Sequence, residues 1–132
     1  MSFIDHISLV DIKDKRILLV LNKGKTKWQL PGGKREVGET DKLTLARECK
    51  EELGIELIPG TIEYLETVEG QASEKEKGMV IRIKIYTARF LGIITPMAEV
   101  NKAGYLFFSE VPDTSEIGWK YLTKLKQDGL IE

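Results

Sequence analysis

Between Leu30 and Leu57 the chain reads LPGGKREVGETDKLTLARECKEELGIEL, and its acids recur at spacings that gather carboxylates. On a helix turning about 100° per residue, with Glu48 set at zero, Glu52 falls near about 40° and Glu51 near about −60°, so three carboxylates share one arc. Like charges three and four residues apart repel by roughly a few tenths of a kcal/mol per pair, so helix stability alone does not favour the arrangement. One reading is a solvated face on which Arg47 and Lys50 act as surface partners. The other is a site for a hard divalent cation. Magnesium typically takes one or two carboxylates together with water and phosphate oxygens, and Glu48, Glu51 and Glu52 offer such groups. Gly32 and Gly33 lie just before the helix, where bare backbone can approach a metal or a phosphate closely.

These residues need a frame. Thr40 or Asp41 can cap a helix running from Asp41 to Leu53, with Gly54 placed to end it. On that wheel Leu43, Ala46, Cys49 and Leu53 cover the far arc, which predicts that the acids oppose the core. Upstream, FIDHISLVDI and RILLVLN read as strands joined by the polar turn KDK, the second of them buried. KGKTK is a further turn, and a short strand WQL is ended by Pro31 and the glycine pair. Downstream, TIEYLETVEG and GMVIRIKIYTARFLG form a predicted long hairpin around the polar tip QASEKEK. GYLFFSEV is another strand, Pro112–Asp113 a turn, and TSEIGWKYLTKLKQDG a closing amphipathic helix with Ile117, Tyr121, Leu122 and Leu125 on one side. The pattern predicts an α+β fold, a mixed sheet covered by helices on its two faces.

With 132 residues the chain is expected to be a single domain over 1–132. Its 20 basic and 21 acidic residues leave a formal net charge of −1, which argues against polymeric nucleic acid as a partner. MSFIDHISLV lacks the basic flank and apolar run of a signal peptide, and no stretch reaches membrane-spanning length, so a cytoplasmic protein with no membrane partner is expected. The lone Cys49 allows neither an intramolecular disulfide nor a cysteine pair for zinc, in keeping with a reducing compartment.

From Gly33 the chain runs five residues to Glu39, seven more to Arg47, and then Arg47-Glu48-Cys49-Lys50-Glu51-Glu52-Leu53-Gly54-Ile55. This resembles the Nudix box of hydrolases that act on nucleoside diphosphates linked to another group. Every charged and glycine position matches. The departure is Cys49, where the family usually has a larger aliphatic residue; a buried cysteine is a small hydrophobe, so the change bears on packing more than on chemistry. WQLPGGK and EVNKAGYLFFSEVP look like the family's flanking segments, and the likeness covers most of the chain. It implies the Nudix fold, an α/β/α sandwich with a mixed sheet. It also implies attack of water on a phosphorus of a small nucleoside diphosphate derivative, with Mg2+, or Mn2+ in its place, as cofactor. Carried onto this sequence, it makes Glu48 and Glu52 the main metal ligands with the Gly33 carbonyl, and Glu51 a third ligand or the base. Arg47 pairs with Glu39 to orient the loop, and Glu99 is the matching general base, although Lys102 stands where many relatives have another acid. Gly32, Gly33 and Lys34 are the expected contacts to phosphate.

The remaining features take plainer readings. GKT at Gly24 lacks the earlier glycine of a phosphate-binding loop, since Leu19 stands there. His6 and the aromatic residues Trp28, Tyr86, Phe90 and Trp119 read as packing residues before ligand contacts. Cys49 lies on the apolar arc and reads as core, not nucleophile. Gly70 and Gln71 occupy positions where ADP-ribose and dinucleoside polyphosphate relatives tend to carry proline and tyrosine, which leans the substrate toward canonical or oxidised nucleoside triphosphates. The alternatives are an ADP-ribose, nucleotide-sugar or dinucleoside polyphosphate hydrolase, a catalytically weak nucleotide sensor, or an interaction module. The tip at 69–78 is read as a lid or as a plain mobile hairpin, and the protein as a monomer or homodimer.

Overall fold

A computed structural model describes residues 2–71 and 78–132. Strand β1 (Ser2–Leu9) has two partners in a mixed sheet of order β4, β1, β7, β6. It pairs parallel with β7 (Met79–Thr87) from Ser2↔Met79 to Leu9↔Tyr86, and antiparallel with the short edge strand β4 (Gly32–Lys34) through Ile7↔Gly33. β6 (Glu63–Gln71) pairs antiparallel with β7 and closes the other edge. A second, antiparallel sheet holds β2 (Ile12–Lys13), β3 (Arg16–Asn22) and β9 (Val100–Leu106). β5 (Glu56–Leu57) and β8 (Phe90–Leu91) make a two-stranded ladder beside the C-terminal end of helix α1 (Asp41–Leu53).

Two cores lie on opposite sides of the strands, as the period of two along β3 requires. Leu18 and Val20 pack with Leu45, Cys49 and Leu53 of α1, whereas Ile17 and Leu19 pack with Tyr121, Leu122 and Leu125 of α2 (Glu116–Gln127). Each fully buried Leu or Ile contributes about 1.5–3 kcal/mol, so these layers fix the frame that carries α1. The result is the three-layer α/β/α arrangement expected from the sequence.

Three local expectations are corrected. The glycine pair does not simply end a strand: Gly32–Lys34 is itself a strand, and the WQL segment makes only isolated bridges, Gln29 to Val20 and Trp28 to Thr114. Glycine's small size permits this, since a side chain at Gly32, whose φ is +142°, would run into the Ile7 carbonyl of β1. GYLFFSEV is not one strand, because β9 stops at Leu106 and a 3-10 turn follows at Phe108–Glu110. Finally, the buried face of α1 is turned from its expected position. Leu43 is 57% exposed, while Leu45, Thr44 and Glu52 are buried. The hairpin tip proposed as a lid falls mainly on residues outside those described; β6 and β7 on either side of it are paired.

Candidate active site

Helix α1 begins where the Thr40 hydroxyl accepts from the Leu43 amide and ends at Gly54, whose φ of 66° suits a glycine C-cap. It is thereby laid under β4, with Glu48 and Glu52 facing the two glycines. Glu52 is only 2% exposed, and its Oε1 accepts from the Gly32 amide at 2.9 Å. Burial, together with the neighbouring charges of Glu48, Glu99 and Glu51, pushes its carboxyl up to about 8 against the pull of the Gly32 amide. Glu48 is half-buried. Desolvation raises its carboxyl as well, with Glu51 and Glu99 adding to the rise and Arg47 opposing it. Two acids that resist ionising beside each other form a place where a cation would be welcome.

Gly33 sits against Glu48. A Cβ there would lie 2.5 Å from Glu48 Cδ, 2.6 Å from Oε1 and 2.8 Å from Oε2. The missing side chain leaves a cradle between backbone and carboxylate. Among the described residues no group of three or more His, Cys, Asp or Glu is gathered closely enough to hold a metal alone. Two carboxylates beside bare backbone would leave coordination positions open, which suits a cation that keeps water and takes phosphate oxygens.

Arg47 organises the acids. Its Nε donates to Glu39 Oε2 at 2.7 Å and its Nη2 to Glu39 Oε1 at 3.0 Å, a two-pronged pair. Nη1 reaches Glu48 Oε1 at 2.9 Å and Glu51 Oε2 at 3.3 Å, and Nη2 also donates to the Lys34 carbonyl at 3.2 Å. Glu39 in turn accepts from the Glu36 amide and the Thr44 hydroxyl, each at 2.9 Å. These bonds, the Arg47 guanidinium foremost, hold the Glu39 carboxyl down at about 2. Lys50 stands apart, 3.5 Å from Glu56.

Glu51 is exposed at the rim, as is Glu99 in the turn before β9. The Glu99 loop is pinned to the end of α1: Met97 N donates to the Glu52 carbonyl and Thr95 N to the Leu53 carbonyl, both at 2.9 Å. These bonds satisfy two of the helix's orphan acceptors and bring the Glu99 charge near enough to act on Glu48 and Glu52. Lys34 is exposed with its Cα opposite His6, and Lys102 is exposed on β9 opposite Leu21. The Cys49 thiol is buried and pushed up by desolvation and by Glu52 and Glu48, so it carries no nucleophile.

Across β1 from α1 lies a pocket of about 100 Å³. His6, Ser8, Gln29, Ile83, Ser115 and Tyr121 are among its walls, between the sheet and the N-terminal half of α2. His6 and Ser8 alternate with Ile7 and Leu9 of the α1 core, so the pocket and the acids stand on the two faces of one strand. Sequence reasoning missed this pocket, and it missed Thr44, a buried hydroxyl five residues past Glu39 that no motif singles out.

The site is thus a helix of paired acids under a glycine edge strand, carried on a three-layer frame. The family model of the NUDIX domain matches residues 4–124, and the chain belongs to that family. Its members are pyrophosphohydrolases of small nucleotide derivatives and generally use divalent metal ions. Over 31 residues the chain is 58% identical to a Mycobacterium tuberculosis protein named as an 8-oxo-dGTP diphosphatase, a match spanning 24% of this chain and 22% of that relative. A MutT NUDIX hydrolase from Burkholderia pseudomallei superposes with a TM-score of 0.78 at 23% identity, covering 95% of this chain and 99% of the other. An ADP-ribose pyrophosphatase from Streptococcus suis superposes at 0.66 and 20% identity, covering 96% and 91%. At these identities the two structures speak for the fold. No helix among the described residues is long and apolar enough to cross a membrane.

Proposed function

We propose that this chain, as one domain, is a magnesium-dependent pyrophosphohydrolase of small nucleoside diphosphate derivatives, with oxidised or canonical nucleoside triphosphates as the leading substrates and manganese able to replace magnesium. The observation that carries the reading is the cradle: Gly33, without a side chain, lies against the Glu48 carboxylate, and buried Glu52 is fixed by the Gly32 amide one residue away. Glu48, Glu52 and the Gly33 carbonyl would hold the metal, with Glu51 as a further ligand or as the base. When bound, the metal supplies charge neutralisation on the diphosphate oxygens and acidifies water.

The chain's own residues do the rest. Arg47, anchored by Glu39, holds Glu48 and Glu51 in place through its remaining donors. Glu99, in the loop that the Met97 and Thr95 amides tie to the end of α1, is the alternative to Glu51 as the base that takes the proton of the attacking water. The Gly32 amide is committed to Glu52, while Gly33 and Lys34 present backbone and an ammonium to phosphate. The lean toward an oxidised base rests on the short match to the 8-oxo-dGTP diphosphatase and on Gly70 and Gln71. The single, buried, unpaired Cys49 supports a cytoplasmic setting, and a monomer or homodimer is expected.

The test is product identification by phosphorus NMR over canonical and oxidised nucleoside triphosphates, ADP-ribose, nucleotide-sugars and dinucleoside polyphosphates, with and without magnesium. Release of pyrophosphate and a nucleoside monophosphate from the triphosphates, only with the metal, is the expected outcome. Binding without turnover across the panel would make the protein a sensor instead.

A further inference from the structure

Asp41 opens α1 at a position the site does not obviously need, yet its carboxylate is engaged from two other parts of the chain. Tyr86 of β7 donates its hydroxyl to Oδ2 at 2.6 Å, Lys84 of the same strand stands 3.7 Å from that oxygen, and Arg35, just past β4, reaches Oδ1 at 2.5 Å. The same Arg35 nitrogen lies 3.4 Å from the Glu39 carbonyl. Arg35 and Asp41 thus bracket the loop from 35 to 40, and that loop delivers the carboxylate on which Arg47 is anchored. The side chains of Arg35 and Asp41 are 28% and 19% exposed, so the pair is partly withdrawn from water and stronger than a surface ion pair.

We propose that Asp41 is a positioning residue of the active site: by tying Arg35 to Tyr86 and Lys84 it fixes the loop carrying Glu39, and through Glu39 and Arg47 it sets the aim of Glu48 and Glu51. This rests on the proposed function for its effect on metal binding, but the coupling from Asp41 to Glu39 stands on contacts alone. The bland alternative is that Asp41 only lends its charge to the helix N-terminus, where any acid of the first turn would serve. Two features speak for a specific role. Tyr86 is itself nearly buried, 7% exposed, and anchored in the α1 core, so the sheet offers Asp41 a rigid partner. The Tyr86 hydroxyl also donates to Asp41 Oδ2 at 2.6 Å, and it is pushed up to about 12 by burial first and then by Asp41, as a close carboxylate acceptor requires.

The experiment compares the full-length wild type with Asp41→Asn, Tyr86→Phe and the double variant Asp41→Asn with Lys42→Glu, each checked for folding by thermal melting. Asp41→Asn keeps the shape and an acceptor for Tyr86 but drops the charge that holds Arg35. The first readout is carboxyl NMR titration of Glu39, which needs no metal. The wild-type midpoint near 2 is expected to climb toward the ordinary carboxylate range in folded Asp41→Asn, and by less in Tyr86→Phe. The second is the affinity for Mn2+ alone, followed by electron paramagnetic resonance and expected to weaken about 10-fold in Asp41→Asn. The double variant restores an acid to the first turn without restoring the contacts, so it should stay weak. An unchanged Glu39 titration in Asp41→Asn would overturn the proposal, as would full recovery in the double variant. If the wild type itself binds no Mn2+, the proposed function fails, while the Glu39 titration still decides the coupling.

Discussion

Glu52 is buried, which disfavours its charge, whereas the function proposed for it, meeting a cation, needs that charge. The Gly32 amide at 2.9 Å resolves part of the conflict by fixing one oxygen. Glutamine keeps an oxygen for that amide, so Glu52→Gln is expected to fold with a melting temperature near wild type. Its metal-dependent turnover should fall by at least about 100-fold, more than the loss of an outer partner of a ligand produces. Steady-state kinetics at saturating magnesium, alongside a thermal melt, checks both halves; wild-type turnover in the folded variant would remove Glu52 from the site. Gly33 supports a complementary test. An alanine Cβ would meet the far end of the flexible Glu48 side chain, which can swing away, so Gly33→Ala should remain folded. Calorimetry with Mn2+ should then show affinity weakened by about 10-fold, because the carboxylate has been moved off its mark.

At the scale of the element, helix α1 shows what was readable and what was not. Its limits were legible, since Thr40 caps it and Gly54 ends it in the left-handed region. Which arc it buries was not. Leu45 falls near about 60° on the wheel, close beside Glu52 near about 40°, and the packed face is centred there instead of on the arc shared by Leu43 and Ala46. The reason is tertiary. The strand laid over this side of α1 carries glycines, so there is space for carboxylates under the sheet, and periodicity alone prices every acid as a surface residue. The same bareness hid β4, because glycine has no strand preference to read and Gly32–Lys34 is held only by its register with β1. What could be read without a structure was the spacing from Gly33 through Glu39 to Arg47, since Glu39 and Arg47 carry charge, Gly33 carries no side chain, and none of the three belongs to a hydrophobic period. Two substitutions probe the helix itself. Thr40→Ala removes the acceptor for the Leu43 amide and should lower stability by about 1 kcal/mol, whereas Leu45→Ala opens a hole in the α1 core and should lower it by about 2–5 kcal/mol. Urea unfolding measures both, and a smaller loss at Leu45 than at Thr40 would contradict the packing described for α1.

For the whole molecule, the site's charges are wired into folding, and pH separates the wires. Glu39 falls from an ordinary 4.5 to about 2 on folding, chiefly through Arg47 and with help from the Glu36 amide and Thr44. A carboxyl whose pKa is lower in the folded state contributes stability above its unfolded value, and the contribution disappears as pH falls through the folded one. Glu39 therefore stabilises the fold above about pH 4.5 and ceases to do so as pH drops to about 2. Tyr86 moves the other way, from 10.0 to about 12, so its contribution is complete below pH 10 and is lost as pH rises through 12. The wild type should lose stability on both limbs, with Glu39→Gln flattening only the acid one and Tyr86→Phe only the alkaline one. Guanidinium unfolding at intervals from pH 2 to pH 12 reads the difference between each variant and wild type. For Glu39→Gln that difference should be largest above about pH 5 and shrink toward zero near pH 2, because protonation then removes from the wild type what the substitution has already removed. A gap that stays constant across the acid limb would mean that Glu39 supports the fold through shape and not through its charge on Arg47.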